Sequence, residues 1–265
     1  WWYEDVLALK RPEYPDWLRG SVLYEAAASG HIESMFSDTG GFEKFAKQVP
    51  YLADMGVNFL WLNSVFKHKG NSPEEGWNHY DPQDFTKIDE VLGGEKGLEY
   101  LVTVLKENGF HTVGGLVPHG GRSVQAEQLK DEWATRSPEG DFIPRWNSWH
   151  IDYSSPAWQQ EMGKAAAMLA RFGMEGVRID VADPVSMNWY SPRTNHAAFS
   201  QLGGSLELQK RIYEYMADAG VERPLIIPES CFDRPEFSEL STLGYGWSFI
   251  FTLHNILDEC SDKPV

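Results

Sequence analysis

Cysteine is nearly absent from the 265-residue sequence. Only Cys231 and Cys260 occur, too few for a disulfide scaffold and at no metal-ligand spacing. Two free thiols are expected, with a single bridge as the alternative. There is no N-x-[ST] sequon, so N-glycosylation is not expected. No apolar run approaches the ~18 residues that a membrane span requires, and no signal peptide is visible at the start. The sequence begins at Trp1 rather than Met, which predicts a processed chain or an excised piece. Basic charge is in deficit: 23 Lys and Arg against 39 Asp and Glu leave a net charge of −16. So acidic a chain repels nucleic acid and anionic membranes, and neither is an expected partner. No G-x-G-x-x-G follows the first strand and there is no Walker A motif, so dinucleotide and nucleotide binding lose their main support. Internal repeats and low-complexity tracts are also lacking.

What is present is a globular composition: 42% hydrophobic and 14% aromatic residues exclude wholesale disorder. The 11 Trp residues leave two readings open, a ligand with flat apolar faces such as a sugar, or a large core filled with indoles. Along the chain, a polar, Pro-interrupted lead-in (1–20) precedes a strand, SVLYEAAA (21–28). Phe42, Phe45, Ala46, Val49, Leu52 and Ala53 recur at helical spacing up to Gly56. VNFLWLN (57–63) is a continuous apolar run, as expected of a strand buried on both faces of a parallel sheet. A loop of about 30 residues rich in Gly, Asn, Pro and Asp comes next. A helix on Leu98, Leu101, Val102 and Leu105 stops at Asn108-Gly109, and the strand FHTVGGLV (110–117) follows. Residues 118–150 form a long irregular excursion, of a length that usually carries function. Ser155-Pro156 caps a helix bearing Trp158, Met162, Ala165, Ala166 and Leu169. Then come the strand GVRIDVA (176–182), a helix on Leu208, Ile212, Tyr215 and Met216, the strand PLIIPES (224–230) and a last expected strand, GWSFIFTL (246–253). Strands alternating with helices predict a parallel α/β fold, either an open doubly wound sheet or a closed barrel.

In such folds the chemistry lies at the carboxyl ends of the strands. GVRIDVA brings Arg178 and Asp180 there, two apart and therefore on one side of the strand. PLIIPES brings Glu229, in phase with Leu225 and Ile227. Asn78, His79, Tyr80, Asp81 and Asp84 lie in the loop after VNFLWLN. An Asp and a Glu on neighbouring strand ends can form the facing carboxylate pair of a retaining glycosidase. There an adjacent Arg would keep the nucleophile ionised and an apolar setting would raise the acid's pKa. The alternative is a structural Arg–Asp salt bridge.

The segments VNFLWLN…HYDPQDFTKIDEVLGG…GLEYLVTVLKENGFHTVGGLVPHG and WHIDYSSPAWQQEM…RFGMEGVRIDVA, with LIIPES, resemble the α-amylase family of glycoside hydrolases. GVRID is close to that family's G-[FV]-R-x-D block. The resemblance covers most of residues 21–253. It implies a (β/α)8 barrel retaining configuration at α-linked glucosides, acting as hydrolase or transglycosidase on an oligo- or polysaccharide. It implies Asp180 as nucleophile, Arg178 as its partner, Glu229 as general acid/base and Tyr80 as the aromatic that stacks on the sugar. The alternative is a non-catalytic carbohydrate-binding relative. A third reading, a barrel acting on phosphorylated sugars, needs a Gly-rich phosphate loop late in the chain, and none is visible.

Several positions depart from the family pattern. Where the family usually reads D-x-V-x-N-H, this chain reads Gly115-Leu116-Val117-Pro118-His119-Gly120. His119 either stands in for the family's sugar-binding His, one residue out of register, or makes a local loop hydrogen bond. Loss of the Asp and Asn predicts that no calcium is bound there, and no cofactor is expected. Asp183 either shapes the acceptor side of a substrate site or is a solvated loop carboxylate, with the second slightly favoured. The family's third carboxylate, in an N-H-D-like block, has no counterpart; Leu253-His254-Asn255-Ile256 carries no Asp after the His. With strands starting near 21, 57, 110, 176, 224 and 246, the chain is expected to hold about six of the eight βα units. The expected division is thus a lead-in (1–20) and a partial barrel (21–265), with 118–150 as a long loop or small subdomain after the third strand.

Overall fold

A computed structural model describes residues 13–28, 41–70, 77–119, 131–145, 148–183, 187–190, 201–230, 235–241, 243–245 and 247–261. Its centre is a five-stranded parallel sheet built from β1 (Leu23–Ala26), β2 (Phe59–Leu62), β5 (His111–Leu116), β8 (Gly176–Ile179) and β9 (Leu225–Pro228). The spatial order β1-β2-β5-β8-β9 follows chain order with no reversal. A doubly wound sheet reverses direction at a switch point; a barrel wall does not. The structure therefore decides between the two parallel architectures in favour of the barrel.

Outside the strands lie α1 (Phe42–Ala46), α2 (Val49–Asp54), α3 (Gly94–Glu107), α4 (Pro156–Arg171) and α5 (Gln201–Asp218). Leu60, Leu62, Leu116, Val177, Ile179 and Ile226 face them and form the main core with Leu98, Leu101, Trp158, Met162 and Ile212. The alternate residues Phe59, Trp61, Val113, Leu225 and Ile227 form a second cluster inside the barrel wall. Both faces of each strand are thus covered, which is why these segments read as unbroken apolar runs. Ser155 caps α4 as its position before Pro156 predicts, its side chain accepting from the Trp158 N–H. The lead-in is anchored as well: Trp17 stacks on His111 with centroids 3.8 Å apart and meets Phe59 edge-on at 5.1 Å.

Two expectations fail. The single helix over 42–53 is broken into α1 and α2, because Pro50, one of the first residues of α2, has no N–H to continue the first helix. The expected sixth strand, 246–253, lies within a helix, α6 (Trp247–Ser261). Short apolar runs do not separate a buried strand from a helix by periodicity. The run does, however, continue past Leu253 to Ile256 and Leu257, which is long for a strand. Leu243 and Tyr245 pack against the interior cluster instead. The free-thiol expectation lies outside the described residues, since Cys231 and the side chain of Cys260 are not among them.

In the connection after β2, β3 (Phe66–His68) pairs antiparallel to β4 (Pro82–Ile88). In the excursion before α4, the described residues include a second antiparallel pair, β6 (Pro144–Arg145) with β7 (Ser148–Trp149). The β3–β4 connection is pinned by Asp89. Its carboxylate accepts from the His68 ring nitrogen Nδ1 (2.9 Å), Trp77 Nε1 (2.8 Å) and the Val91 N–H (2.9 Å). Burial pushes this carboxyl up, but the hydrogen bonds outweigh it and the net shift is downward. A lowered native pKa gives stability that is fully present above the unfolded value of about 4 and lost as pH falls through the native one. Asp89→Asn is expected to cost about 2–3 kcal/mol at neutral pH. The cost should shrink in acid, as read by urea unfolding at both pH values; a cost independent of pH would refute the assignment.

Candidate active site

The register of the sheet brings the strand ends together. Arg178 on β8 pairs with Gly115 on β5 and with Ile227 on β9. It shares their inward parity, and Asp180 and Glu229 lie two residues beyond Arg178 and Ile227. The Arg178 guanidinium bridges both acids. Nη1 bonds to Asp180 Oδ1, and Nη2 lies 2.9 Å from Glu229 Oε2. Its Nε donates to the Tyr245 hydroxyl at 2.9 Å, and its plane sits 4.3 Å from the Trp61 ring centroid and 5.3 Å from that of Tyr245. A planar cation held between two aromatic faces keeps its charge while shielded from water.

His119 completes the pair from the other side, with Nε2 2.8 Å from Asp180 Oδ2. An ionised Asp can only accept, so this nitrogen carries the hydrogen. The Glu229 carboxylate also accepts from the Val181 N–H at 2.9 Å. Val181 has φ +46°, the one positive value among the described non-glycine residues. A β-branched residue held there is strained, and the strained turn aims its N–H at Glu229 while its carbonyl accepts from the Tyr153 hydroxyl.

These surroundings separate the two acids. Burial alone would raise Asp180, but the His119 hydrogen bond and the Arg178 charge hold it well below the usual carboxylate range. Glu229 is raised by burial, with Arg178 opposing, and further by the negative charge of Asp180, against the bond from the Val181 N–H. Tyr245 is pushed up to about 12, chiefly by burial. Tyr80, on the loop before β4, is raised by burial and by the charge of Asp180, and it packs on His79 with ring centroids 4.0 Å apart.

The structure therefore joins Arg178, Asp180, Glu229 and His119 in one bonded network, with Tyr80 beside it. Asp183 follows Asp180 by three residues. It is buried, and its Oδ1 accepts from Ser230 Oγ at 2.8 Å, tying the two strand ends together; the favoured reading of a solvated loop carboxylate is overturned. Among the described residues no three His, Cys, Asp or Glu side chains are grouped to hold a metal ion.

Comparison with known proteins bears on the fold around this site. Residues 29–150 match the alpha-amylase catalytic domain. An alpha-glucosidase of Culex pipiens is 23% identical over 67% of this chain and 31% of its own length. A trehalose-6-phosphate hydrolase of Escherichia coli is 24% identical over 78% of this chain and 35% of its own length. Among solved structures, a maltogenic alpha-amylase of Thermotoga neapolitana superposes with a TM-score of 0.68 over 91% of this chain and 53% of its own, at 17% identity. Over residues 29–150 the chain is similar to the catalytic domain of the α-amylase family of glycoside hydrolases. It carries part of the family's (β/α)8 barrel, and it spans about a third of the length of these two curated relatives.

Within the family pattern, the structure gives a physical reason for the glycine at 115. A Cβ there would lie 2.9 Å from Ser64 N and 3.1 Å from the Asn63 Cα. An acid at this position is excluded unless the end of β2 moves. Three neighbours of the network escaped the sequence reading: Trp61, Tyr245 and Glu25. Glu25 was the most legible, being a lone acid in phase with Leu23 inside an apolar strand. Nothing in the residues around Tyr245 marks it, because its place follows from a chain turn about 65 residues beyond Arg178.

Proposed function

We propose that this protein cleaves or transfers α-linked glucosyl residues with retention of configuration. The supporting observation is the single Arg178 guanidinium that spans both Asp180 and Glu229. Retaining enzymes hold their carboxyl groups about 5–5.5 Å apart, whereas inverting ones need about 6.5–9.5 Å for a water between them. Two acids held by one guanidinium support the short spacing. Asp180, held ionised, attacks the anomeric carbon. Its Oδ2, partnered by loop-borne His119, is the oxygen that turns to the sugar, while strand-borne Arg178 holds Oδ1. Glu229, its carboxyl raised toward the protonated form by burial and by Asp180, gives its proton to the departing glycosidic oxygen, then takes one from the water that releases the glycosyl–Asp180 ester. Tyr80 offers an aromatic face at the mouth for the apolar side of a pyranose. An α-glucoside as substrate is supported by relatives described as alpha-glucosidase, oligo-1,6-glucosidase and 4-alpha-glucanotransferase.

The test is stereochemical. With the protein as its gene encodes it and a p-nitrophenyl α-glucoside, proton NMR during the first turnovers should show the α-anomer appearing first. A β-anomer first would refute retention. Sugar binding by calorimetry with no product formed would leave the carbohydrate-binding alternative in its place.

A further inference from the structure

Glu25 sits on β1 in register with Trp61, whose ring carries the Arg178 guanidinium. Its side chain therefore has the parity of the barrel interior. Its Oε1 accepts from Asn63 Nδ2 at 3.0 Å, and its Oε2 has no hydrogen-bond partner among the described residues. The nearby cation is already committed: both terminal nitrogens of Arg178 are taken by Asp180 and Glu229. A half-buried carboxylate with one unpaired oxygen and no ion pair of its own is costly to hold. Burial raises it; the Asn63 hydrogen bond and the Arg178 charge oppose that rise and the Asp180 charge adds to it, with the net shift upward. A perturbed, part-exposed acceptor on the interior face of the wall is available to a donor from a ligand. A neutral sugar presents hydroxyl donors, and a charge-assisted O–H to carboxylate bond is among the stronger neutral–ion contacts.

Building on the glycosidase reading above, we propose that Glu25 is a substrate-contacting carboxylate of the barrel mouth that accepts one hydroxyl of the sugar ring lying against Asp180. It takes no part in bond cleavage. Its work is to fix the ring so that the anomeric carbon meets Asp180, which places its effect in substrate positioning.

Glu25→Gln tests this cleanly, because the amide oxygen keeps the Asn63 bond while the second acceptor becomes a donor. In the protein as its gene encodes it, kcat/KM on p-nitrophenyl α-glucoside should fall about 10–100-fold, with thermal unfolding unchanged. On the series of monodeoxy glucosides, one analogue should bring wild type and E25Q within about twofold of each other, while the gap persists on the others. A loss uniform across the series would mean a structural role through Asn63 and would overturn the proposal, as would full activity of E25Q. If the wild type turns over no α-glucoside, the glycosidase reading falls by itself. Glu25 is then judged by calorimetry with maltose, where E25Q must weaken binding at least tenfold for the contact to stand.

Discussion

Asp180→Asn should lower turnover of α-glucosides by at least about 10⁴-fold, since deleting a catalytic nucleophile removes the covalent route altogether. The substitution conserves volume, and the Asn carbonyl can still accept from Arg178. Folding is therefore expected to survive, and the loss should appear in kcat. The partner variant Glu229→Gln separates the two roles. A substrate with a good leaving group, such as a dinitrophenyl glucoside, needs no protonation in the first step. It should restore glycosylation in E229Q and do nothing for D180N. The pH profile should divide in the same way. Asp180 is held low by His119 and Arg178, whereas Glu229 is raised by burial and by Asp180. Activity should therefore fall in alkali as Glu229 loses its proton, and E229Q should lack that alkaline limb. A D180N enzyme within about tenfold of wild type would sink the mechanism.

How far this site could be read from the sequence depended on distance along the chain. Arg178 and Asp180 are two residues apart on one strand, and a period of two alone places them on the same side. Glu229 needed one further assumption, that the next parallel strand lies alongside, and the register of β8 with β9 meets it. Trp61 and Tyr245 were out of reach, because no local pattern says which indole or phenol will lie over a guanidinium. The same limit explains the helix found where a sixth strand was expected. Residues 247–257 intersperse Phe249, Ile250, Phe251, Leu253, Ile256 and Leu257 with polar residues, a short pattern that periodicity does not assign to strand or helix. Gly115 was legible as a missing acid, but the reason for it, the approach of the Asn63–Ser64 backbone, belongs to the neighbouring strand.

Arg178→Ala should be the most destabilising single change in the barrel mouth. It leaves the buried Asp180 and the part-buried Glu229 without their shared cation. Breaking a buried ion pair from one side costs about 3–5 kcal/mol, and here one guanidinium serves both Asp180 and Glu229. The variant also loses the stacking against Trp61 and Tyr245. The cost should depend on pH with a defined sign. Without the cation, one of the two acids must be raised well above its unfolded value of about 4, because like charges this close do not both ionise. A raised native pKa means stability is present below the unfolded value and lost as pH rises through the native one. In the wild type, Asp180 is shifted the other way, so its contribution grows on moving out of acid. Both trends make the deficit of the variant largest near neutral pH and smaller toward pH 4. Arg178→Lys should fall between: it restores one charge, but a point cation does not bridge two carboxylates or lie flat between two rings. Urea unfolding of the three proteins at pH 7 and pH 4.5 provides the measurement. An R178A deficit under about 1 kcal/mol, or one that does not change with pH, would show that the guanidinium does not hold the two acids together.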